Sequence, residues 1–137
     1  MAALRRPGQA ICSAAALREG GSKGTRFLVE IDGKTVPAFA IRHKARVYAF
    51  LNQCAHRGVE LDWSEGDFFD LEGDFLICAT HGARYFPDTG VCAGGPCTGR
   101  GLIPIVVCEQ DGQVFLRAED ARLVEAKPQL NEAGQRQ

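Results

Sequence analysis

Two short stretches hold the residues most capable of chemistry: Gln53-Cys54-Ala55-His56-Arg57-Gly58 and Cys78-Ala79-Thr80-His81-Gly82. Each places a cysteine within three residues of a histidine. Together they supply two thiolates and two imidazoles, the donor set of a closed tetrahedral zinc site or of a 2Fe-2S centre with mixed cysteine and histidine ligation. Residues 57–77 lie between His56 and Cys78, enough chain to run out and back as a hairpin and present both loops to one point. In a mixed-ligand 2Fe-2S centre each loop feeds both irons and so carries one cysteine and one histidine. Zinc fingers more often pair like with like. The mixed loops favour the cluster, with zinc in the same pocket as the alternative.

The surrounding chain reads as all-β. Apolar or alternating runs at 26–31, 36–42 and 47–51 are separated by Asp32-Gly33-Lys34 and by His43-Lys44-Ala45-Arg46, the spacing of meandering antiparallel strands. The pattern resumes at 103–108, turns at Gln110-Asp111-Gly112-Gln113 and ends in a strand at 114–116. Between these halves, residues 52–101 are rich in glycine and hold four of the six cysteines, which reads as loops built around something. A hairpin over 68–77, turning at Glu72-Gly73-Asp74, interrupts them. After residue 116 a short helix is expected over 119–126, followed past Pro128 by a polar, frayed end.

Bulk properties narrow the function classes. The chain has 137 residues, a length suited to one domain with its own hydrophobic core. With 16 basic and 17 acidic residues the net charge is −1, which gives no nucleic-acid footprint, and no apolar run is long enough to span a membrane. The double arginine at residues 5–6 raises the question of an export signal. The apolar stretch that follows, 10–17, is short, broken by Cys12 and Ser13, and closed by Arg18-Glu19 without a clear cleavage site. A soluble cytoplasmic protein is the expectation, and its cysteines point to metal binding or reduced thiols rather than to a disulfide framework.

"CAHRGVEL" and "CATHGARYFPDTG" resemble the two cluster-binding loops of Rieske-type [2Fe-2S] ferredoxins, the ferredoxin components of ring-hydroxylating dioxygenase systems. The similarity runs from "ICSAAALREGG" to "GGPCTGRGLIPIVVCEQDGQVFL", which is similar to the proline loop and final hairpin of that family. The resemblance implies a single Rieske domain over 1–137, an antiparallel β-sandwich or barrel-like base with its core over about 10–117. A cluster-binding subdomain would occupy about 52–98, and 118–137 would be a polar tail. It implies one [2Fe-2S] cluster per chain, with Cys54 and Cys78 on the buried iron and His56 and His81 on the iron nearer solvent.

Departures from the respiratory branch of that family are informative. That branch adds a cysteine to each loop and joins the two in a disulfide; here the matching positions are Val59 and Thr80. It also uses a serine and a tyrosine hydroxyl to raise the cluster potential. The serine position is Ala83, whereas Tyr85 is retained as the expected potential-tuning donor. Cys92 and Cys97, which flank Ala93-Gly94-Gly95-Pro96, are open to being reactive thiols or a pair and are read as inert loop residues; Cys12 and Cys108 are read as core. Glu60, Asp62, Glu65, Asp67, Asp70, Glu72 and Asp74 crowd the segment between the loops with no Lys or Arg among them. They form a solvated face or, on the sharper reading, an acidic docking surface for a basic redox partner.

A Rieske oxygenase also needs a mononuclear iron on two histidines and a carboxylate. This chain has three histidines, and with His56 and His81 assigned to the cluster only His43 is left. The resemblance therefore implies an electron carrier, with no catalytic residues, rather than an enzyme. Its donor would be a flavin-dependent reductase and its acceptor a terminal oxygenase, in an oxidoreductase system without nucleic acid or membrane. A Rieske-like small subunit of a larger reductase, such as nitrite reductase, and a zinc-stabilised interaction module are the alternatives.

Overall fold

A computed structural model describes residues 9–17, 24–54, 60–62, 66–70, 73–79, 82–97, 99–117 and 122–125. His56 and His81, together with Val59, Thr80, Glu65 and Glu72, lie outside the described residues, as does the chain beyond 125.

The described chain is built from eleven strands in three antiparallel sheets. A five-stranded sheet has the order β11-β2-β3-β4-β8, with β2 at Thr25–Ile31, β3 at Lys34–His43, β4 at Arg46–Leu51, β8 at Pro104–Ile105 and β11 at Arg122–Glu125. The second sheet, β1-β10-β9, joins Gln9–Ser13, Gln113–Leu116 and Val107–Gln110. The third, β5-β6-β7, joins Leu76–Ile77, Arg84–Tyr85 and Cys92–Gly94. The strands expected at 26–31, 36–42, 47–51 and 114–116 are present with small extensions. The helix expected over 119–126 is not: Arg122–Glu125 pairs with β2, because the open edge of the large sheet offers backbone partners that an isolated short helix in water lacks. The apolar run near the N-terminus belongs to the fold, since β1 pairs with β10 and both Ile11 and Leu17 are buried.

The central strand explains how one sheet serves two cores. Residues 38–41 of β3 are all buried, and successive side chains point to opposite faces. Ala38 and Ala40, with Ala49 and Leu51 of β4, pack with Phe27, Val29, Val114 and Leu116 between the two larger sheets. Phe39 and Ile41, with Phe50 of β4, face the other way and meet Cys54, Phe68, Leu76, Cys78 and Tyr85. Phe39 stacks on Phe68 with ring centroids 4.0 Å apart and meets Phe50 at 5.9 Å. The apolar floor under both cysteine loops is thus one face of β3 and β4.

Three hairpins turn through two residues of positive φ: Asp32-Gly33, Lys44-Ala45 and Asp111-Gly112. That is the primed geometry whose twist matches the flanking strands. Lys44-Ala45 does it without glycine, with Ala45 at φ 70°, a conformation in which a Cβ is strained. Ala45→Gly is expected to raise stability by about 0.5–1 kcal/mol, measurable by urea denaturation; a loss of stability would contradict the strained turn.

Arg42, at the end of β3, joins the two larger sheets. Its Nε donates to the Leu17 carbonyl at 2.7 Å and its Nη2 to that of Ala14 at 3.2 Å. Its two terminal nitrogens hold both carboxylate oxygens of Glu109 on β9, at 3.0 and 2.9 Å. The hydrogen bonds from Arg42 lower the Glu109 pKa from its ordinary value. A carboxyl depressed by folding contributes stability that is present above its unfolded pKa and is lost as pH falls through its folded pKa. Wild type is therefore expected to lose up to about 1 kcal/mol more than Glu109→Gln across the acid range below the ordinary glutamate pKa, the pair being partly exposed. Parallel acid limbs in the two proteins would contradict it.

Candidate metal centre

The first loop leaves the end of β4. Asn52 donates its backbone N–H to Pro37 O at 2.8 Å, and its side chain, fully buried, reaches across the loop. Asn52 Oδ1 accepts the Leu61 N–H at 2.8 Å, and Nδ2 donates to Asp62 Oδ1 at 3.1 Å. One amide thereby ties the two ends of the segment that contains Cys54. Asp62 Oδ2 accepts the Gly66 N–H at 2.9 Å, and Arg26 forms ion pairs with Asp62 and Glu60.

The second loop leaves β5. Cys78 N–H donates to Ala83 O at 2.8 Å and Gly82 N–H to Cys78 O at 2.7 Å, a tight turn in which Gly82 has φ 76°, the left-handed region open to glycine. The 68–77 hairpin supports it as expected: Phe69 bridges Leu76, and Asp70 Oδ1 accepts the Asp74 N–H at 3.0 Å. Ala79 N–H donates to Leu61 O at 2.9 Å, which links the second loop directly to the end of the first.

These contacts bring Cys54 and Cys78 into one apolar cluster, 1% and 0% exposed. Tyr85, on β6 and also fully buried, holds its hydroxyl 3.3 Å from Cys54 Sγ. The Tyr85 hydroxyl therefore lies against one cysteine sulfur, and at the position compared with the serine stands the buried methyl of Ala83. A pair of buried sulfurs from two hydrogen-bonded loops, with a hydroxyl aimed at one of them, fits thiolate ligation of a metal: a coordinated thiolate carries no proton, so the hydroxyl donates to it.

Three sequence expectations change. Cys92 and Cys97 are not inert loop residues but a disulfide, with Cα atoms 5.6 Å apart. The intervening Ala93-Gly94-Gly95-Pro96 turn brings the ends together, a signal legible in the glycines and proline. Cys12 and Cys108 are half-buried strand residues, and only Cys12 packs against the core. The acidic run is thinned as a surface: the side chains of Asp62 and Asp70 are 0% and 6% exposed and serve loop backbone. Among the described members of the run, Glu60, Asp67 and Asp74 remain exposed. Asn52 was not singled out by the sequence; the only hint is a polar residue at the end of an apolar strand, two positions before the Cys-x-His.

A family model described as the Rieske [2Fe-2S] domain matches residues 9–110. No curated protein matches the chain. Among solved structures, a chain in the complex of reduced oxygenase and oxidized ferredoxin in carbazole 1,9a-dioxygenase is 27% identical, with TM-score 0.59 over 79% of this chain and 99% of that one. The ferredoxin of carbazole 1,9a-dioxygenase from Nocardioides aromaticivorans IC177 is 20% identical, with TM-score 0.62 over 83% of this chain and 100% of that one. The Sphingomonas yanoikuyae B1 ferredoxin is 20% identical, with TM-score 0.59 over 80% and 96%. The last two likenesses concern the fold.

Proposed function

Because the chain belongs to the Rieske [2Fe-2S] domain family, we propose that it is a one-electron carrier that delivers electrons from a flavin-dependent reductase to a terminal oxygenase. The observation that carries this reading is the pairing of buried Cys54 and Cys78, with the Tyr85 hydroxyl on Cys54 Sγ, inside a domain match that covers both loops. The 27% identity to a chain of an oxygenase–ferredoxin complex supports the acceptor class. Cys54 and Cys78 would hold one iron, and His56 and His81 the other. When bound, the cluster supplies reversible one-electron transfer without bond making in the protein.

The protein's own residues would set the conditions. The β3–β4 floor of Phe39, Ile41 and Phe50 keeps water from the cysteine side, and low dielectric there disfavours the more negative, reduced form. Tyr85 opposes that by donating to sulfur. With Ala83 supplying no second donor, the midpoint potential is expected in the lower half of the roughly −150 to +300 mV span of such centres. Tyr85→Phe is expected to lower it by about 50 mV, the equivalent of about 1 kcal/mol of hydrogen bond lost preferentially from the reduced state. Potentiometric titration checks this, and an unchanged midpoint would show that the hydroxyl does not distinguish the two redox states.

We place the chain in the cytoplasm as part of the same reading. No helix among the described residues is long and apolar enough to cross a membrane, and the carrier role rests also on the histidine count, which leaves His43 alone for any second iron. The direct test is anaerobic mixing of the reduced protein with a Rieske-type terminal oxygenase. One electron per chain should pass to the oxygenase; no transfer, or a protein that takes up no electron from dithionite, would overturn the proposal.

A further inference from the structure

The Cys92–Cys97 disulfide closes a loop of two glycines and a proline directly against the second cysteine loop. Gly95, at φ 91°, approaches so closely that a Cβ there would lie 3.0 Å from Gly82 O and 3.1 Å from Ala83 Cα. Gly82 and Ala83 are the residues whose backbone closes the turn on Cys78, through Gly82 N–H to Cys78 O and Cys78 N–H to Ala83 O. Tyr85 pairs with Cys92 in the register of β6 and β7. The disulfide thus pins one short segment onto the backbone that holds Cys78 and, through the strand ladder, onto the strand that carries Tyr85.

We propose that Cys92–Cys97 is a thiol–disulfide exchange site, and that its redox state sets how firmly the Cys78 turn is held. This rests on the reading of Cys78 as a cluster ligand. The two sulfurs differ in access: Cys97 is 0% exposed, whereas Cys92 is half-buried. A thiolate of a dithiol reductant therefore attacks Cys92 Sγ. The new S–S bond joins reductant to Cys92, the Cys92–Cys97 bond breaks, and its electron pair leaves on Cys97 Sγ, which takes a proton. The second thiol of the reductant, deprotonated, then attacks its own sulfur in the mixed disulfide and releases Cys92, which is protonated in turn. Two electrons and two protons have moved, and the reductant ends as a disulfide.

The fold accommodates both states. Arg84 O and Gly94 O lie 3.4 and 3.3 Å from Cys97 Sγ, and Gly94 O lies 3.7 Å from Cys92 Sγ, so the thiols formed on reduction meet carbonyl acceptors instead of being buried without partners. In the reduced state the Gly94-Gly95 segment regains the conformations that ring closure removes, and the Gly82–Ala83 backbone loses a fixed neighbour. Reducing compartments keep such pairs open and oxidising ones keep them closed, so the latch would report thiol redox conditions to the cysteine loop beside it.

The test uses the native holoprotein with dithiothreitol as the reductant. Alkylation and peptide mass are expected to show Cys92 and Cys97 opening without denaturant. Hydrogen exchange at the Gly82 amide should then accelerate roughly tenfold, with faster cluster loss to an iron chelator. A Cys92→Ser/Cys97→Ser variant should match the reduced wild type and ignore dithiothreitol. Should that variant fail to fold, reduction of the wild type still decides the matter. A disulfide that dithiothreitol leaves closed, or one that opens with Gly82 exchange unchanged, would overturn the proposal. Faster Gly82 exchange in a protein that binds no cluster would support the latch while refuting the ligand reading.

Discussion

Cys54→Ala and Cys78→Ala are each expected to give a folded protein that holds no [2Fe-2S] cluster, while Cys12→Ala and Cys108→Ala retain a full complement. The contrast follows from position. Cys54 and Cys78 are buried in the same apolar cluster, next to Tyr85 and above the β3–β4 floor. Cys12 and Cys108 are half-buried in β1 and β9, in a different sheet. Deleting a single thiolate leaves three donors for four iron positions, and the other cysteines of that cluster, Cys92 and Cys97, are held in their disulfide. The metal-free fold should survive, because the turn at Cys78 is held by backbone hydrogen bonds that alanine keeps. The cost to the metal-free protein is that of a small buried side chain, about 1 kcal/mol. Iron and sulfide analysis with thermal denaturation of the metal-free forms checks both halves. Full iron in Cys54→Ala would remove that residue from the ligand set, and an unfolded metal-free variant would show that the cysteine is structural.

Asn52→Ala is expected to cost about 2–4 kcal/mol, a large share of a domain's stability. Three groups depend on its amide: the Leu61 N–H loses its acceptor, and Asp62 Oδ1 and Glu60 Oε1 lose a donor; a cavity also opens where the side chain stood. The side chain of Asp62 is itself 0% exposed, so its carboxylate cannot recover the lost bond from bulk water without local rearrangement. The charge-changing variant sharpens the test. Asn52→Asp keeps an acceptor for Leu61 but sets a second carboxylate against Asp62, so it too should be destabilised, and increasingly so as pH rises through the carboxylate range. Denaturation of both variants in the metal-free and loaded states separates fold from site: the loaded proteins should also lose the cluster faster, since Asn52 fixes both ends of the Cys54 segment. A loss below about 0.5 kcal/mol in Asn52→Ala would mean that the amide is not the tie between the loop ends.

The strands were readable because their alternation is strict and their turns carry recognisable residues. Asp32-Gly33 and Asp111-Gly112 announce hairpins, and the two cysteine–histidine stretches stand out by type and spacing alone. What the sequence conceals is set by tertiary placement. Arg122–Glu125 has composition compatible with a short helix, and only the open edge of β2, distant in sequence, makes it a strand. Asp62 and Asp70 look like members of a solvated acidic face, yet loop backbone N–H groups draw them inward. Asn52 is one polar residue among many until the fold brings Leu61 and Asp62 to it. Cys92 and Cys97 read as inert loop residues because no resemblance gives either a ligand role, yet the five-residue spacing across Gly-Gly-Pro lets the chain turn back and join them.

Whether the two cysteine–histidine loops hold a [2Fe-2S] cluster with mixed ligation is decided by low-temperature EPR, with the visible spectrum, of the anaerobically purified protein reduced by dithionite. A red-brown protein whose reduced form gives the rhombic signal of a 2Fe-2S centre with mixed cysteine and histidine ligation is expected. A colourless, EPR-silent protein containing one zinc ion per chain would contradict it and leave Cys54 and Cys78 as parts of a structural metal site.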